Sequence, residues 1–148
     1  MAVNVERVGH VVLKVRSLER SARFYRDVLG LKEVARLQGQ MAFFSAGRGN
    51  HHDLAILEVG EGAARPSRES VGLYHVALKI GDRIEDLRAA KAHLEAHGVK
   101  MGFANHRVSQ SIYLNDPDGN GLELFVDADP KVWRDDPTAV ATVEPLDL

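Results

Sequence analysis

The sequence predicts an α+β protein made of two βαβββ repeats that form a curved mixed sheet around a cavity. Three observations predict it. A strand, a helix and three further strand-like segments occur in that order twice. An H-V-x-L-K-[VI] pattern recurs at His10 and His75, sixty-five residues apart. Each half also carries a Gly-Asn turn signal, Gly49-Asn50 and Gly119-Asn120.

The first repeat opens with VGHVVLKV (8–15), a β-branched run that reads as a strand buried on both faces. Ser17 is the expected N-cap of the helix LERSARFYRDVL, with Leu18, Ala22, Tyr25 and Leu29 on one face and Gly30 at its C-terminal cap. LKEVARL, MAFFSA and HHDLAILEV follow as strands. GEGAARPSRES (60–70) breaks all periodicity and reads as a linker.

The second repeat starts at YHVALKI (74–80). Asp82 is the expected cap of a helix with Ile84, Leu87 and Leu94 on one face before Gly98, and the strands VKMGF, SIYLND and GLELFVD complete the unit. One helix per four strands cannot cover both faces of a sheet, so the two sheets are expected to pair around a hollow. Residues 1–127 are read as a single domain, with repeats at about 5–60 and 70–127. The remaining 128–148, rich in Asp and Pro, reads as an arm or frayed end in which Trp133 packs on the body or on a second subunit.

Composition narrows the chemistry. A chain of 148 residues with 45% apolar and 27% charged residues and a formal charge of −2 has the make-up of a globular domain, with no pull toward nucleic acid or an anionic membrane. No apolar run is long enough to cross a bilayer, and MAVNVERVGH lacks a signal-peptide core, so a cytoplasmic location is expected. Cysteine is absent, which confines any metal to nitrogen and oxygen ligands.

Seven histidines need sorting. His93 and His97 have a metal-binding spacing but follow the polar helix face beside Lys91 and Glu95, and are assigned to the surface. His10 and His75 each begin an apolar strand at equivalent places of the two repeats. Either alone would read as a satisfied core histidine. Together, pseudo-symmetry directs two imidazoles to one cavity. Glu123 lies between Leu122 and Leu124, so alternation turns it to the face opposite both leucines. A carboxylate there costs several kcal/mol unless paired or coordinated. One outcome is a salt bridge to Lys14 or Lys79. The other is a metal held by His10, His75 and Glu123, the two-histidine, one-carboxylate set of non-haem Fe(II), which Mn(II) and Zn(II) also accept.

These residues resemble the vicinal oxygen chelate (glyoxalase/bleomycin resistance/extradiol dioxygenase) superfamily, and within it the one-domain type I extradiol catechol dioxygenases. NHHDLAILEVG (50–60), GLYHVALKI (72–80) and NHRVSQSIYLNDPDGNGLELFVD (105–127) carry the resemblance. It implies Fe(II) on His10, His75 and Glu123, a catechol-type diol and dioxygen as substrates, and a homo-oligomer. It gives His52 the place beside the dioxygen position as acid or base, Tyr113 a hydrogen bond to the substrate, and His106 an approach to a catechol hydroxyl. His52, Leu54, Ile56 and Glu58 are expected to share the cavity face, with His51 pointing outward. Phe43, Phe44, Phe103 and the tail are candidate pocket walls. Two alternatives stand beside this one. One is a glyoxalase- or epimerase-like isomerase using Glu58 as a fourth ligand to Ni(II) or Zn(II), and the other is a metal-free protein that binds antibiotics.

Overall fold

The structure, a computed structural model, describes residues 3–47, 49–67 and 69–148. They form two compact units, divided between Arg65 and Pro66. Each is one βαβββ module with a four-stranded mixed sheet, so the α+β class and the internal repeat are both present.

In the first unit the strands are β1 (Val11–Val15), β2 (Lys32–Leu37), β3 (Met41–Ser45) and β4 (Leu54–Glu58), in the spatial order β1-β4-β3-β2. β1 runs parallel to β4, and the other pairs are antiparallel. Helix α1 (Leu18–Arg23) continues into a π-helical turn (Phe24–Val28). Ser17 caps it as expected, its Oγ accepting the Arg20 N–H at 3.4 Å, and Gly30 follows the last turn at φ 72°, where a side chain would be strained.

The register assigns the faces. Leu13, Val15, Leu54, Ile56, Ala42 and Phe44 are paired across the ladder on one face, and all are buried. Leu18, Ala22 and Tyr25 of the helical segment are buried as well, with the Tyr25 ring 5.8 Å from Phe44. Each large side chain so buried contributes on the order of 1.5–3 kcal/mol. The opposite face carries Val12, Lys14, Met41, Phe43, Ala55 and Leu57. β1 is therefore not buried on both faces: Val12 is 45% exposed, because a single helix covers a single face.

The second unit repeats this plan with β5 (Val76–Gly81), β6 (Gly102–Asn105), β7 (Ser109–Asn115) and β8 (Gly121–Asp127), in the order β5-β8-β7-β6. Helix α2 (Ile84–Ala96) packs Leu87 and Leu94 onto Ile112, Leu114, Leu122, Leu124 and Val126. Asp82 is not its cap. The helix starts after Arg83, and the Asp86 carboxylate reaches back to accept the N–H groups of Asp82 (3.3 Å) and Arg83 (3.1 Å). Asp82 instead pairs with Lys79 at 2.5 Å. The DPDGN turn forms as the sequence suggests: Asp116 Oδ1 accepts the N–H groups of Asp118 and Asn120, and Gly119 sits at φ 87°.

The segment after Asp127 is ordered rather than frayed. It forms α3 (Lys131–Asp135) and a 3₁₀ turn (Pro137–Ala141), then bridges back to the second sheet through Asn105 and Glu144. Arg107 Nη2 closes an ion pair to Glu144 at 2.7 Å. Among the described residues, no helix is long and apolar enough to cross a membrane.

Candidate metal centre

His10 and His75 do not lie within strands. Each stands one residue before its repeat's first strand, so alternation puts it on the face opposite the helix. In the second unit that face also carries Glu123, Tyr113 and Ser111, because Glu123 pairs with Tyr113 and Ala77 in the ladder while Leu122 and Leu124 turn to α2. The Glu123 carboxylate is 7% exposed. Its Oε2 is 3.0 Å from His75 Nε2, and its Oε1 accepts a 2.5 Å hydrogen bond from Ser111 Oγ. Lys79, a candidate partner from the sequence, pairs instead with Asp82 and Asp127.

Tyr113 and His106 extend this cluster. The Tyr113 ring lies 5.7 Å from His75, and its hydroxyl is 2.6 Å from His106 Nε2. His106 Nδ1 is 2.7 Å from the Thr142 carbonyl, which can only accept. Nδ1 therefore bears the proton, Nε2 is the acceptor, and Tyr113 donates its O–H to it. Burial, with the Glu123 charge nearby, pushes the Tyr113 hydroxyl up to about 12, which keeps it protonated and a donor near neutrality.

In the first unit His10 lies beside His52, with ring centroids 4.3 Å apart, and His52 stands edge-on to Phe43 at 5.4 Å. His51 Nδ1 is 2.6 Å from His52 Nδ1, and His51 is exposed. Neither histidine of the pair belongs to β4, which begins only at Leu54. Ahead of β4, the Asp53 carboxylate accepts the Ala46 N–H (2.7 Å) and the Asn50 amide (3.0 Å). Asn50 also donates to the Gly9 carbonyl (2.9 Å), tying it to the residue before His10. Burial, with His10 and His51 adjacent, lowers the His52 imidazole below the usual histidine range, favouring its neutral form at pH 7.

The expected grouping of His52 with Leu54, Ile56 and Glu58 is corrected here. Leu54 and Ile56 face the helix, and Glu58 Oε2 accepts the Leu18 N–H at 2.6 Å, at the start of α1. His52 reaches the other face because it precedes the strand and its loop redirects it. Phe43 lies on that face with it. Phe44 packs on Tyr25, and Phe103, paired with Ile112, lies near Lys91 of α2. Among the described residues, no three His, Asp or Glu side chains gather as a group that could hold a metal ion. His75 and Glu123 belong to the second unit, and His10 belongs to the first.

The donors of the second unit suit a divalent ion. Two ligands at right angles, each about 2.0–2.2 Å from a metal, lie about 2.8–3.1 Å apart, and the His75 Nε2–Glu123 Oε2 separation is 3.0 Å. His75 Nδ1, the ring nitrogen that does not face Glu123, is buried without a hydrogen-bond partner.

The sequence model of the glyoxalase/bleomycin resistance protein/dioxygenase superfamily matches residues 7–124. The chain belongs to this superfamily. Among superfamily relatives, it is 38% identical over 130 residues to catechol-2,3-dioxygenase of Bacillus subtilis (strain 168), covering 87% of this chain and 44% of that protein. It is 32% identical to biphenyl-2,3-diol 1,2-dioxygenase 3 of Rhodococcus globerulus, covering 82% of this chain and 63% of that protein. The chain thus spans less than two thirds of the length of both dioxygenases. A solved lactoylglutathione lyase from Agrobacterium tumefaciens superposes with a TM-score of 0.65 at 26% identity, covering 87% of this chain and 97% of that one.

Three positions around these residues are not among the sequence candidates. Ser111 was accessible to the alternation rule, since it stands two residues before Tyr113 on the same face of β7. Gly121 has no such signal: a Cβ there would lie 2.5 Å from the Tyr74 carbonyl and 3.2 Å from the His75 Cβ, so its smallness lets β8 approach the His75 segment. Thr142 acts through its backbone carbonyl, which no side-chain pattern reveals.

Proposed function

We propose that this protein is an Fe(II)-dependent extradiol dioxygenase that opens the ring of a catechol-type diol, with both atoms of O2 entering the product. His75 and Glu123, joined by His10, would hold the ion, with Mn(II) as the nearest substitute and Zn(II) or Ni(II) as alternatives. Three protein ligands leave coordination room for a diol and dioxygen. When bound, Fe(II) supplies a common centre on which the diol and dioxygen meet. The observation that carries the reading is the His75–Glu123 pair, in which an oxygen of the buried carboxylate stands 3.0 Å from the imidazole Nε2.

The chain's own residues suit the proton traffic of this reaction. Tyr113 presents a protonated hydroxyl that orients a substrate oxygen, and His106 Nε2 accepts a proton relayed through it. His52, held neutral, takes or returns a proton at the dioxygen side. Phe43 beside it keeps water from this part of the site.

Ring cleavage is favoured over a glyoxalase- or epimerase-like isomerisation by β4. Its face opposite the helix offers Ala55 and Leu57, neither of them a donor, and Glu58 is engaged at the α1 N-terminus. Similarity to two aromatic-diol dioxygenases supports the same choice. The protein is further proposed to act in the cytoplasm as a homo-oligomer on a small-molecule substrate. The test is anaerobic Fe(II) loading followed by oxygen uptake with catechol and 2,3-dihydroxybiphenyl. A yellow ring-opened product with one O2 consumed per diol is expected, and no uptake across a diol panel at full iron occupancy overturns the proposal.

A further inference from the structure

The end of the chain is strapped to the second sheet beside His106. β6 is an edge strand of that sheet, and its last residue, Asn105, exchanges two backbone hydrogen bonds with Glu144. The Asn105 N–H donates to the Glu144 carbonyl at 2.9 Å, and the Glu144 N–H donates to the Asn105 carbonyl at 2.8 Å. Two residues earlier, this strap lays the Thr142 carbonyl 2.7 Å from His106 Nδ1. Side chains brace the same corner. Arg107 Nε and Nη2 both donate to Glu144 Oε1, at 2.9 and 2.7 Å, and Asn105 Oδ1 accepts the Arg107 N–H at 2.9 Å. Arg107 stands at φ 64°, in the left-handed region that side chains other than glycine seldom adopt. His106 is thereby held between the strap on one side and Tyr113 on the other, its Nε2 2.6 Å from the Tyr113 hydroxyl. Residues 142–144 lie beyond the matched superfamily region, which ends at residue 124.

We propose that Glu144 is a positioning residue: by bridging to Asn105 it keeps the Thr142 carbonyl on His106 Nδ1 and so imposes the tautomer in which Nε2 accepts from Tyr113. The hydrogen bond made by one ring nitrogen decides which nitrogen carries the proton. A neutral imidazole in water favours the opposite tautomer, so without the strap Nε2 would mostly bear a proton and could not take one. The Arg107–Glu144 ion pair is exposed and contributes little by itself, which leaves the backbone bridge to carry the effect. The consequence for turnover rests on the dioxygenase reading. There, a substrate proton arriving at the Tyr113 oxygen moves the Tyr113 proton to His106 Nε2, giving an imidazolium whose Nδ1–H stays on the Thr142 carbonyl. The tautomer itself needs neither metal nor turnover.

The experiment records long-range proton–nitrogen correlation spectra of the metal-free full chain at about pH 8, above the usual histidine range, with the His106 signals assigned by their loss in His106→Gln. Wild-type His106 is expected to be protonated at Nδ1. Glu144→Pro removes the N–H that donates to Asn105 and the carboxylate that pairs with Arg107. It should move His106 predominantly to the Nε2-protonated form, with the fold checked by circular dichroism. Glu144→Gly keeps the N–H but loses the ion pair and loosens the strap, so it serves as the milder variant and should show both tautomers. On the iron-loaded enzyme, Glu144→Pro should lower kcat at least about tenfold, part of the roughly 10²–10⁴-fold that a positioned acid–base group supplies, with the KM for the diol within about twofold. Wild-type His106 protonated at Nε2, or the wild-type tautomer retained in the folded variants, overturns the proposal, as does a shifted tautomer with kcat unchanged. A shifted tautomer when the wild type takes up no oxygen on any diol overturns the dioxygenase reading instead and keeps the strap.

Discussion

His75 Nε2 and Glu123 Oε2 stand 3.0 Å apart on the face of the second sheet that its helix leaves open. The two groups meet there because β5 and β8 are parallel and in register, Ala77 opposite Glu123, with His75 just before the first residue of β5. If this pair is half of a metal site, Glu123→Ala and His75→Ala should each lower Fe(II) affinity by more than the roughly 10–100-fold that loss of an outer partner costs. Iron retained per chain after gel filtration, measured by plasma mass spectrometry, checks this. Wild-type retention in both variants would exclude the pair as ligands.

In that site Ser111 would be such an outer partner. Its hydroxyl donates to the Glu123 oxygen that faces away from His75, fixing the carboxylate's orientation. Ser111→Ala should weaken Fe(II) binding by about 10–100-fold while the secondary structure persists, as followed by a metal titration alongside circular dichroism.

Glu58 separates two chemistries. Its carboxylate accepts the Leu18 N–H at the positive end of α1. Glu58→Ala should therefore cost about 1 kcal/mol of stability, seen as a lower urea midpoint, with Fe(II) affinity unchanged. A large loss of metal in this variant would favour the isomerase alternative.

Gly121→Ala should act on His75 from outside the ligand set. The added methyl meets the Tyr74 carbonyl and the His75 Cβ, backbone and near-backbone atoms that cannot swing aside. A destabilisation of about 1–3 kcal/mol together with weaker Fe(II) binding is expected. The readouts are thermal melting and metal retention.

Asp53 gives a pH dependence of known sign. The Ala46 N–H, with the Asn50 amide, holds its carboxyl below the usual carboxylate range. A folded-state value lower than the unfolded one means its contribution is fully present above the unfolded value and is lost as pH falls through the folded one, that is, below about pH 4. Asp53→Asn should be less stable at pH 7, and its deficit should shrink as the pH is lowered through that range. Parallel urea titrations at each pH measure the difference.

Much of this protein was written in period and punctuation. Alternation turned Glu123 away from Leu122 and Leu124, the repeated H-V-x-L-K-[VI] pattern put His10 and His75 at equivalent strand entrances, and Ser17, Gly30 and the DPDGN turn marked boundaries. These are local effects, set by backbone geometry within a few residues, so the order of residues alone decides them. The face taken by His52, the capture of Glu58 by a helix 40 residues away, the Thr142 carbonyl that sets the His106 tautomer and the bridge of Glu144 to Asn105 belong to the tertiary structure. Each depends on a contact between segments distant in sequence. Such a contact forms only when hydrophobic burial of the two helix-covered sheet faces, a non-directional force, has already brought the segments together.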